Sequence, residues 1–368
     1  MNSALNPEGS KAPANSVSVD PVMGALSTAA GRHGVDPLAH RLLELGAWLG
    51  DDLLDLDQAL DAFIPMDGGA VDLSQKAAGH LVAQKGKRIR PLCVMLSARI
   101  GGRTFDPAIR DLAVASELVH AATLLHDDVI DEGDERRGHA TARVVFGNSA
   151  SILGGDYLLI EALKLVRRAG APVLLGRLLD TISQMVEAEA YQLERRHRFD
   201  PSRDLYYKVI EGKTAALFRW GLAAGGTMAG LAEGEVQALS EVGMALGTAF
   251  QLVDDILDLD GDPTVTGKAA LADLREGKMT WPLIISVERD AALREQLSTW
   301  MTEKGADFDP AEASMVVSRM KAAGAIEATR EEASRQADVA REKLSGLPEG
   351  RARAAIEAVV EATVSRFR

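Results

Sequence analysis

The chain of 368 residues has one cysteine, Cys93, so it can form no internal disulfide and no thiolate-built zinc site. A reducing cytoplasm is the expected setting. Aromatic residues make up only 4%, which removes many of the side chains that favour sheets. Alanine, leucine and glutamate dominate instead, and they are helix formers. No uninterrupted apolar run reaches the length of a membrane span. The first residues show neither a basic start with an apolar run nor an Arg-rich amphipathic pattern, so neither export nor stable membrane insertion is expected. Acids outnumber bases by 54 to 41, for a net charge of −13. A general nucleic-acid partner is therefore not expected, because phosphate backbones demand clustered cations on one face.

What the chain does have is one pattern written twice. Apolar residues lead into Asp127-Asp128-Val129-Ile130-Asp131, and again into Asp254-Asp255-Ile256-Leu257-Asp258. On a helix, Asp127 and Asp131 fall on one face with Asp128 at its edge, and Asp254, Asp258 and Asp255 repeat that arrangement. Like charges at this spacing repel, and the helices carrying them are too apolar to be solvated surfaces. Bound cations resolve the conflict. Oxygen-only ligands point to Mg²⁺, with Mn²⁺ as its relative, and Mg²⁺ prefers one or two carboxylates completed by water and phosphate oxygens. Two such forks across a cavity would grip a diphosphate.

Periodicity predicts an all-α protein: a large single-domain helical bundle over 36–368 behind a disordered tail at 1–35, which is rich in Ala, Ser, Gly, Pro and Asn. Helices are expected from Pro37 to about Phe63, from Pro91 to Ile100 and from Asp111 to Asp131. Further helices are expected at Pro172 to His197, from about Asp204 through Lys213, and at Glu235 to Asp258. In the fourth of these, Leu175, Leu179, Ile182, Val186, Ala190 and Leu193 form the expected buried stripe. From Leu259 to Trp281 the chain reads as a loop, either a solvated linker or a lid carrying Lys268 and Lys278. Pro282 onward is helical again, with a break at Leu347-Pro348-Glu349-Gly350 and a basic Arg366-Phe367-Arg368 end.

Several basic stretches adjoin these helices. Gly86-Lys87-Arg88-Ile89-Arg90-Pro91 puts Lys87 and Arg90 at a helix start, where anions are favoured, though a solvated basic turn explains such a hexapeptide too. His120 stands in the apolar helix as a core residue or a ligand. Arg136 and Arg137 follow the first fork in Gly133-Asp134-Glu135-Arg136-Arg137-Gly138. Phe146-Gly147-Asn148 and Gly154-Gly155-Asp156-Tyr157 read as turn and helix packing.

Taken together, these motifs resemble the trans-polyprenyl diphosphate synthases (trans-prenyltransferases), whose two aspartate-rich motifs look like Asp127–Asp131 and Asp254–Asp258. The resemblance implies the isoprenoid synthase fold, a central cavity lined by the two Asp-rich helices, and a homodimer. It also implies head-to-tail condensation of isopentenyl diphosphate with geranyl, farnesyl or geranylgeranyl diphosphate, releasing pyrophosphate, with about three Mg²⁺ ions bridging the leaving group. Both forks then become metal ligands: Asp127, Asp128, Asp131, Asp254, Asp255 and Asp258. By the same resemblance Lys87, Arg90, His120 and Arg137 hold isopentenyl diphosphate, and Arg136 holds the allylic diphosphate. The resemblance implies that Lys213 and Thr214 bind the departing pyrophosphate and that Gln251 binds substrate, while the lid reading of Leu259 to Trp281 would bring Lys268 and Lys278 onto the same pyrophosphate. Glu187-Ala188-Glu189-Ala190-Tyr191-Gln192 departs from the Gly-Glu that relatives more often carry there.

Counting back from Asp127, Thr123 and Ala122 lie about one turn deeper and Val119 and Leu118 about two, each turn being about 5.4 Å. Short-chain members put an aromatic at the first level. Both residues here are small, so a product longer than farnesyl is expected, in the range of quinone side chains. Two rivals stand beside this reading. Glu117-x-x-His120 and Glu194-x-x-His197 fit the ligand pairs of a di-iron carboxylate bundle, and a non-catalytic regulatory subunit of a heteromeric synthase would share the fold but would be expected to have lost residues from its forks.

Overall fold

The structure, a computed structural model, describes residues 36–65, 72–196, 198–260, 272–303 and 309–365. The expected tail at 1–35, Gly68, Gly69, His197, Lys268 and Arg366–Arg368 lie outside the described residues. The elements are α1 (Asp36–Asp61), α2 (Leu73–Val82), α3 (Ile89–Ile100), α4 (Pro107–Ile130), β1 (Glu135–Arg136), β2 (His139–Ala140), α5 (Ala142–Phe146), α6 (Asn148–Arg168), α7 (Pro172–Glu194) and α8 (Arg203–Ile210). A widened π turn (Glu211–Ala215) leads into α9 (Ala216–Met228), followed by α10 (Glu233–Asp260), α11 (Ala272–Arg275), α12 (Trp281–Arg289), α13 (Ala291–Glu303), α14 (Pro310–Ala322), α15 (Ala325–Ser345) and α16 (Arg351–Ser365). The all-α expectation is borne out, with one small exception in β1 and β2.

That exception has a local cause. Arg136 pairs with His139, leaving Arg137 and Gly138 as a two-residue turn in which both have positive φ, +53° and +77°. Such a turn matches the twist of an antiparallel pair and favours glycine at its second position. The ribbon fixes Arg136 and Arg137 immediately after the first fork.

One hydrophobic core runs through the bundle from Leu38 to Val364. α4 begins where Asp106 accepts hydrogen bonds from the Ala108 and Ile109 amides at 2.9 and 3.0 Å, with Pro107 in the first turn. It is buried on nearly every side, as its sequence predicts, and ends at Ile130, with Glu132 at φ +53° turning the chain away. The first fork therefore occupies the last turn of its helix. α9 packs against both α4 and α10. Glycines allow this close approach: a Cβ on Gly243 would meet the Arg219 backbone at 2.6 Å, and one on Gly247 would meet Ala215 Cα at 2.4 Å. Gly154 and Gly155 act as expected, lying against Ala77 and the His126 ring.

The stripe expected to be buried on α7 is not. Leu179, Val186 and Leu193 are 49%, 63% and 46% exposed, and the buried positions are Leu174, Leu178, Thr181, Met185 and Ala188. Ile182, Val186, Ala190 and Leu193 of the stripe instead line a large cavity, so periodicity selects a face of α7 turned largely to that cavity and not to the core. Val173 and Leu179 of α7, with Ile152, Leu153 and Ile160 of α6, are exposed and leave an apolar surface.

Two glycine substitutions test this packing. Gly247→Val should destabilise the protein by about 1–3 kcal/mol through overpacking, read as a lower urea midpoint. Gly176, in α7 with open space around it, should by contrast gain about 0.5–1 kcal/mol as Ala.

Candidate active site

The first fork is shaped by cations from elsewhere in the chain. Asp128 is buried and takes both Arg136 Nε (2.9 Å) and Nη2 (2.7 Å) on Oδ1, while its Oδ2 has no hydrogen-bond partner among the described residues. Asp131 is bound by Arg196 and by Lys278 Nζ, the latter at 3.1 Å. Burial pushes the Asp131 carboxyl up, but Lys278 and Lys213 outweigh it and hold the group below its usual range. Asp127 lies 3.6 Å from Lys213 Nζ, which also pairs with Glu189 and lies 3.4 Å from Gln192 Oε1. Burial raises the Asp127 carboxyl to about 6, with Lys213 pulling it down and the Glu189 and Asp131 charges adding to the rise. Lys213 projects from the π turn, an irregularity often found at functional sites.

The second fork is held differently. Asp255 is buried and accepts hydrogen bonds from Tyr206 Oη (2.6 Å), Gln251 Nε2 (3.0 Å) and the Trp281 amide (3.3 Å). Burial and the nearby Asp273 charge raise its carboxyl to about 7 despite those bonds. Gln251 also accepts from Thr214 Oγ1 at 2.9 Å, so Thr214, Gln251, Asp255 and Tyr206 form one chain of hydrogen bonds. Asp258 Oδ2 accepts a long contact from the Asp273 amide, 3.4 Å.

A cavity of about 1070 Å³ joins these parts. Lys87, Arg90, His120, Arg136 and Arg137 line it, as do Asp127, Asp254, Lys213, Thr214 and Gln251. Ala122, Thr123 and Val119 line its apolar wall together with Ile182, Met185, Val186 and Phe250, whereas Leu118 is fully buried and does not. A smaller pocket of about 130 Å³ shares Lys213, Thr214 and Gln251 with it and adds Asp255, Asp273 and Lys278. The structure thus brings most of the expected residues together. Asp128 and Asp255 are turned to protein partners, and Asp131 to Arg196 and Lys278.

At the basic end, Arg90 lies 4.5 Å over the Phe218 ring. The Arg137 guanidinium approaches Gly86 so closely that a Cβ there would sit 2.9 Å from it. Burial, reinforced by Arg90, Arg137, Arg136 and Arg88, holds His120 well below its ordinary range. It is neutral at pH 7.

Among the described residues, no three carboxylate, thiol or imidazole groups converge closely enough to chelate a metal unaided. Asp127 and Asp254 offer hard oxygen ligands at the cavity wall. The di-iron rival fares poorly, because Glu117 is taken by Arg88 at 2.7 Å. Sequence reasoning did not foresee Arg196 on Asp131, Tyr206 on Asp255 or Glu189 on Lys213, partners 65, 49 and 24 residues apart. The departure around Glu189 was the one signal available.

Comparison with known proteins agrees with this geometry. A polyprenyl synthetase family model matches residues 71–317. The octaprenyl diphosphate synthase of Escherichia coli K12 is 36% identical over 298 residues, 81% of this chain and 91% of that one. Heptaprenyl diphosphate synthase component 2 of Geobacillus stearothermophilus is 34% identical over 313 residues, 85% of this chain and 95% of its own. Among solved structures, the polyprenyl synthase of Caulobacter crescentus CB15, complexed with calcium and isoprenyl diphosphate, aligns with a TM-score of 0.81 at 32% identity, covering 87% of this chain and 96% of that one. The chain belongs to the polyprenyl synthetase family. It is a prenyltransferase on the helical isoprenoid synthase fold, and the calcium in its relative is consistent with dependence on a divalent cation.

The raised Asp127 carboxyl gives a signed prediction. With a folded pKa of about 6, above the unfolded value, ionisation opposes folding increasingly from about pH 4 to above pH 6. In EDTA, Asp127→Asn should be more stable than wild type at pH 8, by on the order of 1–3 kcal/mol, and the gap in unfolding midpoint should close by pH 4. An equal gap at both pH values contradicts the assignment.

Proposed function

We propose that the chain condenses isopentenyl diphosphate head to tail with a geranyl, farnesyl or geranylgeranyl diphosphate primer, giving a medium- to long-chain trans-polyprenyl diphosphate. The observation that carries this is one large cavity lined by Lys87, Arg90, His120, Arg136 and Arg137, by Asp127 and Asp254, and by apolar side chains. Octaprenyl and heptaprenyl products in the relatives' names support the length.

In this reading each group has a distinct role. Lys87, Arg90 and Arg137 hold the isopentenyl diphosphate, and neutral His120 gives it a hydrogen bond without adding charge. Asp127, Asp131, Asp254 and Asp258 are the side chains that would hold Mg²⁺ or Mn²⁺, about three ions in all. Bound there, the cations neutralise the leaving diphosphate. Asp128 and Asp255, fixed by Arg136 and Tyr206, keep each fork in shape. Lys213, Lys268, Lys278 and Arg136 add positive charge where the allylic C–O bond breaks and its electron pair leaves with pyrophosphate. The isopentenyl double bond then attacks the allylic carbon, and the departing pyrophosphate takes the proton released. Apolar walls keep water from the cation.

The growing tail passes Thr123 and Ala122, then Val119, with Leu118 backing the wall. The exposed apolar surface of α6 and α7 supports a homodimer, which would cover Val186 and Leu193 beside the cavity. No helix among the described residues is long and apolar enough to cross a membrane, and a cytoplasmic setting agrees with the single buried thiol. The likeness to a protein named as component 2 favours one second reading, a chain that needs a different partner for activity.

Purified protein incubated with Mg²⁺, labelled isopentenyl diphosphate and each allylic primer should give a ladder ending in one long polyprenyl diphosphate, with activity eluting at the mass of a dimer. No incorporation by folded protein would shift the reading to a partner-dependent component. Ala122→Phe should shorten the product. Unchanged length would remove Ala122 from the tunnel.

A further inference from the structure

Glu117 stands three residues before His120, and the roles above leave it without a task. Its side chain is only 6% exposed and lines the same cavity as the cationic cluster. A carboxylate in a cavity built for a diphosphate repels the ligand unless its charge is already matched. It accepts a hydrogen bond from Arg88 Nη1 at 2.7 Å, and Arg88 is also 6% exposed. The next carboxylate, Asp57, is 3.8 Å from Arg88 Nε.

Arg88 is also where the backbone is strained. It has φ +48° and ψ 27°, left-handed values that a residue with a Cβ adopts only when its surroundings require them. Lys85, three residues earlier, has φ +34°. Lys87 and Arg90, on either side of Arg88, line the cavity, as Arg88 does, with the Arg88 guanidinium bonded to Glu117. α3 starts at Ile89, directly after the strained residue, so the conformation of Arg88 sets how the turn meets the helix.

We infer that the buried Arg88–Glu117 pair is an anchor that holds the turn before α3 in its left-handed form and so directs Lys87 and Arg90 at one diphosphate. Arg88 and Glu117 are then positioning residues for the homoallylic substrate, and Arg88, although central in a basic hexapeptide, is not a diphosphate ligand. This rests on the reading that isopentenyl diphosphate binds among these cations.

The test uses the full-length protein with Mg²⁺, calorimetric binding of isopentenyl diphosphate, and steady-state constants for both substrates. E117Q keeps the shape and an acceptor oxygen, R88M removes the cation, and R88M/E117Q removes both charges; thermal unfolding confirms that each folds. Each single change should raise Kd and KM for isopentenyl diphosphate by about tenfold or more, leaving KM for farnesyl diphosphate within about twofold and kcat within about threefold. The double variant should be no worse than the poorer single, the signature of a coupled pair. Unchanged or tighter binding by E117Q, equal loss for both substrates, or effects that multiply in the double variant would each overturn the anchor. If R88M fails to fold, E117Q decides alone. Wild-type protein that binds no isopentenyl diphosphate would remove the reading of the site, and the anchor with it, which is distinct from intact wild-type binding with indifferent variants.

Discussion

Carboxylates at the C-terminal ends of two apolar helices are the constraint on which the rest of this protein depends. A helix C-terminus carries the negative end of the macrodipole, and burial disfavours ionised groups, so both effects oppose the charge that the forks bring. The chain answers with cations and donors drawn from distant segments. Arg136 takes Asp128, Arg196 and Lys278 take Asp131, Lys213 approaches Asp127, and Tyr206 with Gln251 takes Asp255. Those contacts leave Asp127 raised to about 6 and Asp255 to about 7, a residual imbalance that divalent cations with a diphosphate are suited to remove.

The fold serves this arrangement by bringing the two helices close. α9 fits between α4 and α10 because Gly243 and Gly247 admit its backbone, and the π turn before it carries Lys213 toward Asp127. The same packing leaves a cavity lined by both charged and apolar side chains.

Much of this was legible in the sequence because it is local. The Asp spacing and the proline starting α7 each act within one or two helical turns, and the limits of the helices expected followed within a few residues. What was not legible is what depends on distant partners. Nothing near Arg196 announces Asp131, and Tyr206 has no neighbour that points to Asp255. The Arg137–Gly138 turn was readable only as flanking charge, since two-residue strands are too short to show alternation. The α7 stripe was misread because an apolar side chain that lines a cavity has the same periodicity as one packed in the core.

The most direct measurement is a crystal structure grown with Mn²⁺ and a non-ionising allylic diphosphate analogue, with the metals located by anomalous scattering. The account predicts peaks between the diphosphate and Asp127 with Asp131 on one side, and between the diphosphate and Asp254 on the other, with Arg196 and Lys278 moved off Asp131. A diphosphate bound in the cavity with both forks bare of metal would contradict it.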